Sequence, residues 1–268
     1  MRVGLIAAAT AFALVAGAAN ASTNLVLNGG FENVTLTSGQ QSQIAGYVGF
    51  QVTYPGGSYS NAVDNWTSAQ DALNPGAYNL YFFDGATATG GDAFSQYPGE
   101  QQRPNANFTG SSPNGGAFMI LDGDPNFTGP LSQTVNGLTV GQTYQLSFYW
   151  AGGELSNRTG YQTIDLTGSF GSSTFSTPTY NNTAAAGAPG SFSGWQLETF
   201  NFKATSASQV LSFLAAGTPA ANLPPVAFLD GVSVVAVPEP GVWAMMLAGI
   251  GGLGLALRRR RSALAAAA

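Results

Sequence analysis

Gln142-Thr143-Tyr144-Gln145-Leu146-Ser147-Phe148-Tyr149-Trp150-Ala151 decides the fold class. Tyr144, Leu146, Phe148 and Trp150 fall at every second position, with Gln145, Ser147 and Tyr149 between them. Side chains alternate between the two faces of a strand, so this period of two predicts a half-buried strand. Just upstream, Asn136-Gly137-Leu138-Thr139-Val140-Gly141 supplies the Asn and Gly that a turn into it requires.

Working outward, the same reading predicts strands at 24–28, 46–53, 77–83, 117–122, 131–135, 162–167, 195–202, 209–215 and 226–235, each bounded by Gly, Asn, Ser or Pro. Nowhere between residues 22 and 236 is there a convincing helical period. Many short strands with this punctuation predict an all-β, antiparallel β-sandwich of the jelly-roll type, with one domain over residues 22–236. Phe148, Trp150, Phe200, Phe202 and Phe213 lie in alternating patterns and are assigned to its core. The polar stretches 98–116 and 178–194 read as long loops, the usual place for a sandwich to display binding groups.

Composition removes whole classes of chemistry. The 268 residues include no cysteine and no histidine. A thiol nucleophile, a Ser-His-Asp triad and the usual zinc or haem ligands are therefore absent from the sequence. Charged residues make up 8% of the chain, against about 25% in an average soluble protein. Between residues 22 and 236 only Arg103, Arg158 and Lys203 oppose twelve acids, a formal charge of −9. Nucleic acid is excluded as a partner, because phosphate binding needs clustered Lys and Arg.

The two ends read as export signals. Arg2, the apolar run 3–17 and Ala19-Asn20-Ala21 have the order of a secretory signal peptide over residues 1–21, for removal by signal peptidase. At the other end Val237-Pro238-Glu239-Pro240-Gly241 precedes an apolar run at 242–257, then Arg258, Arg259, Arg260 and Arg261. As a helix that run reaches about 24 Å, a short transmembrane span against a bilayer core of about 30 Å. The arginines place residues 262–268 in the cytoplasm and the domain outside.

Pro238-Glu239-Pro240, Trp243-Ala244, the apolar helix and the arginine cluster together resemble the PEP-CTERM sorting signal over residues 237–261. That resemblance implies a Gram-negative host, recognition by an exosortase, cleavage near the Pro-Glu-Pro, and final residence at the cell surface or in an exopolysaccharide or biofilm matrix. Before processing, the C-terminal helix holds the protein in the membrane.

A second resemblance runs along the body. Asn24-Leu25-Val26-Leu27-Asn28-Gly29-Gly30-Phe31-Glu32, Gly137-Leu138 with Gly141-Gln142-Thr143-Tyr144, Gly194-Trp195, and Phe228-Leu229-Asp230-Gly231-Val232-Ser233-Val234 look like galactose-binding-like jelly-roll carbohydrate-binding modules. The resemblance implies adjacent first and last strands with a structural calcium beside them, for which Glu32 and Asp230 are the candidate carboxylates. Tyr54, Tyr59, Tyr97 and Tyr180, flanked by Gly, Ser, Asn or Pro, are the candidate sugar-contacting aromatics. The expected function is a non-enzymatic surface or matrix protein that binds polysaccharide. A carboxylate-dependent glycoside hydrolase and a purely structural adhesin are the alternatives, and no catalytic motif singles out a proton donor among the acids.

Overall fold

The computed structural model describes residues 23–35, 49–51, 63–68, 79–82, 108–125, 128–154, 161–182, 192–218, 225–238, 248–255 and 258. Twelve strands are described: β1 (Gly49–Gln51), β2 (Thr67–Ser68), β3 (Asn79–Phe82), β4 (Phe118–Asp122), β5 (Leu131–Asn136), β6 (Thr143–Glu154), β7 (Thr163–Phe170), β8 (Ser173–Ser176), β9 (Tyr180–Asn181), β10 (Gln196–Lys203), β11 (Ser208–Thr218) and β12 (Pro225–Ala236). They form two sheets with antiparallel pairings throughout. The first has the order β1-β3-β4-β12-β6-β10, and the second β2-β5-β11-β7-β8 with β9 also on β7. Thr23–Ala236 is one compact unit.

The period of two in β6 does what its pattern demands. Tyr144, Leu146, Phe148 and Trp150 are buried in one core with Leu131 and Val135 of β5, Leu166 and Phe170 of β7, and Leu211 and Phe213 of β11. Two sheets thus share one hydrophobic layer. Phe213 sits at its middle, its ring 5.1 Å from Phe148, 5.5 Å from Phe175 and 6.2 Å from Trp66. Phe148, Trp150, Phe202 and Phe213 are buried as expected, and Phe200 packs against the same cluster.

Phe118-Met119-Ile120-Leu121 departs from alternation because its sheet is covered on both faces. Met119 and Leu121 enter the main core, while Phe118 and Ile120 join Ala151, Val226, Phe228 and Phe108 in a second cluster on the opposite face. Phe192 and Trp195 pack against that cluster from the chain before β10. Phe108 stacks on Phe228 with centroids 5.4 Å apart.

The expected strand at 24–28 is a correction. Asn24 Oδ1 accepts from the N–H groups of both Val26 and Val234, and the chain turns over residues 27–30. The side chain competes with the ladder for backbone donors. The segment still lies along β12, with Leu25 N–H donating to Val234 O at 2.9 Å and Val232 N–H to Gly29 O at 2.9 Å. Strands β2, β8 and β9 were not expected, being too short for a periodic signal.

Val237–Ala268 falls outside the sandwich unit. Its described positions 248–255 and 258 are helical. Among the described residues no helix is long and apolar enough to cross a membrane, and the remainder of the expected 242–257 span lies outside them. The signal peptide at 1–21 also lies outside the described residues.

Emptying the middle of the shared layer should destabilise both sheets. Phe213→Ala is expected to cost about 3–5 kcal/mol, the range for a fully buried aromatic, read as a lowered urea midpoint with an unchanged slope.

Candidate functional site

Glu32 and Asp230, 198 positions apart in the chain, are brought into electrostatic reach of one another. The first is delivered by an unusual turn. Asn28 and Phe31 both have positive φ, 51° and 59°. A bulky side chain avoids that conformation unless its surroundings impose it. Here Asn28 Nδ2 donates to Asn33 O (2.8 Å) and Asp64 O (3.0 Å), and Trp66 Nε1 donates to Asn28 O (2.9 Å). Phe31 is fully buried, its ring 5.2 Å from that of Trp66. With Phe31 fixed in the core, Glu32 points outward, and its Oε1 accepts from Ala117 N–H at 3.0 Å.

Asp230 arrives from the centre of the first sheet. It pairs with Tyr149 on the face away from the main core, and the β12–β6 register shifts immediately after it. Gly231, at φ 61°, makes that irregularity. Asp230 is fully buried beneath the segment 108–116. Ser112 Oγ–H donates to its Oδ2 at 2.5 Å, while Asn114 Nδ2 (3.3 Å) and Gly231 N–H (2.5 Å) donate to its Oδ1.

The covering segment is tied down along its length. Trp195 Nε1 donates to Gly110 O at 2.9 Å, Ser111 Oγ to Gly116 O at 2.9 Å, and Gly115 N–H to Ser112 O at 2.9 Å. Gly116 closes it against the Glu32 carboxylate, where a Cβ would lie 2.0 Å from Oε1. Its φ of 67° favours glycine, and a larger residue would also displace the Glu32 carboxylate.

Burial dominates the electrostatics. Loss of water raises the Asp230 carboxyl from 3.8 to about 7; the Ser112 and Gly231 hydrogen bonds oppose the rise and the negative charge of Glu32 adds to it. No positive side chain of the described residues is among the influences on Asp230. Two hard oxygen donors that repel one another are of the kind a calcium ion takes as ligands. Glu32 and Asp230 are the carboxylates that would hold it, and backbone or amide oxygens would have to complete its shell. Among the described residues no group of three or more acidic side chains does so.

Of the other expected positions, Tyr180 is half-buried and packs against the main core, its ring over Gly152. Tyr54, Tyr59 and Tyr97 lie outside the described residues. Pro238 is exposed and Arg258 is exposed and helical, whereas Glu239, Pro240, Trp243, Ala244, Arg259, Arg260 and Arg261 lie outside. Sequence reasoning missed Ser112 and Asn114, since nothing distinguishes them from neighbouring polar loop residues. It also missed a groove of about 470 Å³ on the outer face of the second sheet, lined in part by Thr167, Ser169, Thr174 and Ser212. The spacing of Thr163, Thr167 and Ser169 on one face of β7 was its available signal.

The molecule is thus an antiparallel two-sheet β-protein with a buried acid beneath a loop. Its tail, residues 236–261, is a PEP-CTERM protein-sorting motif. The motif implies exosortase processing and an exported, surface-sorted protein of Gram-negative bacteria. No curated protein matches the chain. Solved structures similar to it include TmCBM61 in complex with β-1,4-galactotriose, at 14% identity and a TM-score of 0.39, covering 81% of this chain and 100% of that one. A cleaved adhesin domain of Lys-gingipain from Porphyromonas gingivalis gives 12% identity and 0.34, covering 71% and 99%. CBM28, a non-crystalline cellulose specific carbohydrate-binding module, gives 14% and 0.28, covering 47% and 78%.

The raised Asp230 carboxyl sets a pH dependence for the calcium-free chain. Between 3.8 and about 7 the folded state holds a proton that the unfolded state has released, so stability falls as pH rises through this window. In a chelating buffer the melting temperature should accordingly drop from pH 4 to pH 7 more steeply in the native chain than in Asp230→Asn, where no charge is buried.

Proposed function

We propose that this protein is exported, sorted through its C-terminal signal, and retained at the cell surface or in the extracellular matrix, where its jelly-roll body binds polysaccharide without cleaving it. The observation that carries this reading is the junction of a PEP-CTERM motif at 236–261 with an antiparallel β body that is rich in Gly, Ser, Thr and Asn and sparing in charged residues. Signal peptidase acts after Ala21, and the 242–257 helix with Arg258–Arg261 serves as the membrane stop until an exosortase releases the body near Pro238-Glu239-Pro240. Desolvation of the arginines opposes their passage through the bilayer, so the tail waits on the cytoplasmic side.

Two observations favour binding over hydrolysis. A glycosidase needs two carboxylates facing one scissile bond, but Asp230 is wholly covered and Glu32 is engaged with Ala117 N–H. Among the described residues the groove on the second sheet has no carboxylate in its lining. In this reading Glu32 and Asp230 are structural. A calcium ion would supply the positive charge that lets Asp230 ionise, and the residues around it would then keep 108–116 fixed.

Each part has its measurement. Mass spectrometry of the surface-exposed protein from native cells should find a C-terminus near Pro238-Glu239-Pro240 and no Arg258–Ala268 peptide. Replacement of Glu239 should leave the full tail in the membrane fraction. Intact arginines on the surface form would reject processing. Calcium at about a hundred times its dissociation constant would add about 2.7 kcal/mol, about 5–10 °C for a domain of this size. The rise should vanish in Glu32→Ala and Asp230→Ala, and no rise in the native chain would reject the ion. Retention on a glycan array tests polysaccharide binding.

A further inference from the structure

The outer face of the second sheet has a row of hydroxyls that neither the sorting signal nor the Asp230 site uses. Leu211, Phe213 and Ala215 of β11 turn into the core, so Ser212 and Leu214 turn away from it. Strand register then aligns Ser132 of β5, Ser212 of β11, Ser169 of β7 and Thr174 of β8 across four adjacent strands. Adjacent strands lie about 4.8 Å apart, which makes the row about 14 Å long. None of these four hydroxyls hydrogen-bonds to the described protein. Flanking ones are committed, Thr167 Oγ1 to Leu214 O (3.1 Å) and Ser176 Oγ to Thr177 O (3.1 Å).

Three members of the row, Ser169, Thr174 and Ser212, line the 470 Å³ groove beside Thr167, Leu214 and Pro130. Its volume falls within the range of about 300–1,000 Å³ typical of small-ligand sites. Among the described residues no charged side chain lines it. Asp165, two positions before Thr167 on the same face of β7, is the acid nearest along that strand.

We infer that this groove is the glycan-contacting surface and that its ligand is a neutral polysaccharide chain. The inference rests on the polysaccharide-binding reading above. Serine, threonine and sugar hydroxyls each donate and accept, so a line of uncommitted hydroxyls matches a chain of neutral sugars without specifying a charge. Leu214 and Pro130 supply the apolar surface against which a sugar's C–H face packs. A uronate or phosphate would give up water to a groove with no cationic side chain among its described lining residues, and would approach the Asp165 carboxylate.

The test uses the full-length chain in mild detergent on immobilised neutral glucans, galactans, mannans and xylans, beside alginate and polygalacturonate. Retention is expected on at least one neutral polymer and on neither uronate. Ser212→Glu and Ser169→Glu should each weaken it at least about tenfold by placing an unpaired charge in the groove. Thr199→Glu, on exposed β10, should leave binding unchanged, and all three should melt with the native chain. The double substitution Ser169→Ala with Ser212→Ala, which adds no volume, should also weaken retention and covers the case in which glutamate disturbs the sheet. Unchanged retention in the groove variants, or retention on uronates, would overturn the inference while leaving polysaccharide binding intact. Absence of retention on every polymer would remove both.

Discussion

Burial of β12 on both faces is the constraint on which the rest of the structure depends. Leu229, Val232 and Val234 fill the main core, while Val226 and Phe228 fill the second cluster on the opposite side. A strand enclosed in this way must have something covering its outer face, and here that cover is Phe108 with the segment running to Gly116. Asp230 is buried by the same cover. Its raised carboxyl is thus a consequence of sheet packing: the cover that shields Phe228 from water also removes water from the acid two residues later.

Much of this was legible in the sequence, and the reason is physical. Strands with one wet face announce themselves by alternation, which is why β5, β6, β7, β10 and β11 fall close to their expected positions. The continuous run Phe118-Met119-Ile120-Leu121 gave a strand correctly but held a further message, because two-sided burial removes the polar positions. Phe192 could not be assigned to the second cluster, since irregular chain has no period from which to infer a face, and Trp195, expected to open the strand at 195–202, lies just before β10. The segment at 24–28 failed for a local reason, the Asn24 carbonyl oxygen capturing backbone donors that a strand would have used.

At the candidate site, Glu32 and Asp230 came from a family resemblance, and the structure sets each against the same stretch of chain, Glu32 on Ala117 N–H and Asp230 on Ser112 and Asn114. Ser112 and Asn114 did not emerge, because their role depends on where a loop returns after a long excursion. The hydroxyl row is invisible in another way. Each of its members is an ordinary outward-facing strand residue, and only the register of four strands separated in sequence makes a line of them.

The last strand also leads directly into the sorting motif, since Ala236 is followed by Val237 and exposed Pro238. Any pull transmitted from the tail enters the domain through β12, which is hydrogen-bonded to β4 on one side and β6 on the other. Force along a strand held from both sides loads many hydrogen bonds together, whereas an edge strand would peel away one bond at a time. The sorting motif therefore joins the sandwich at a strand paired on both sides and not at a sheet edge.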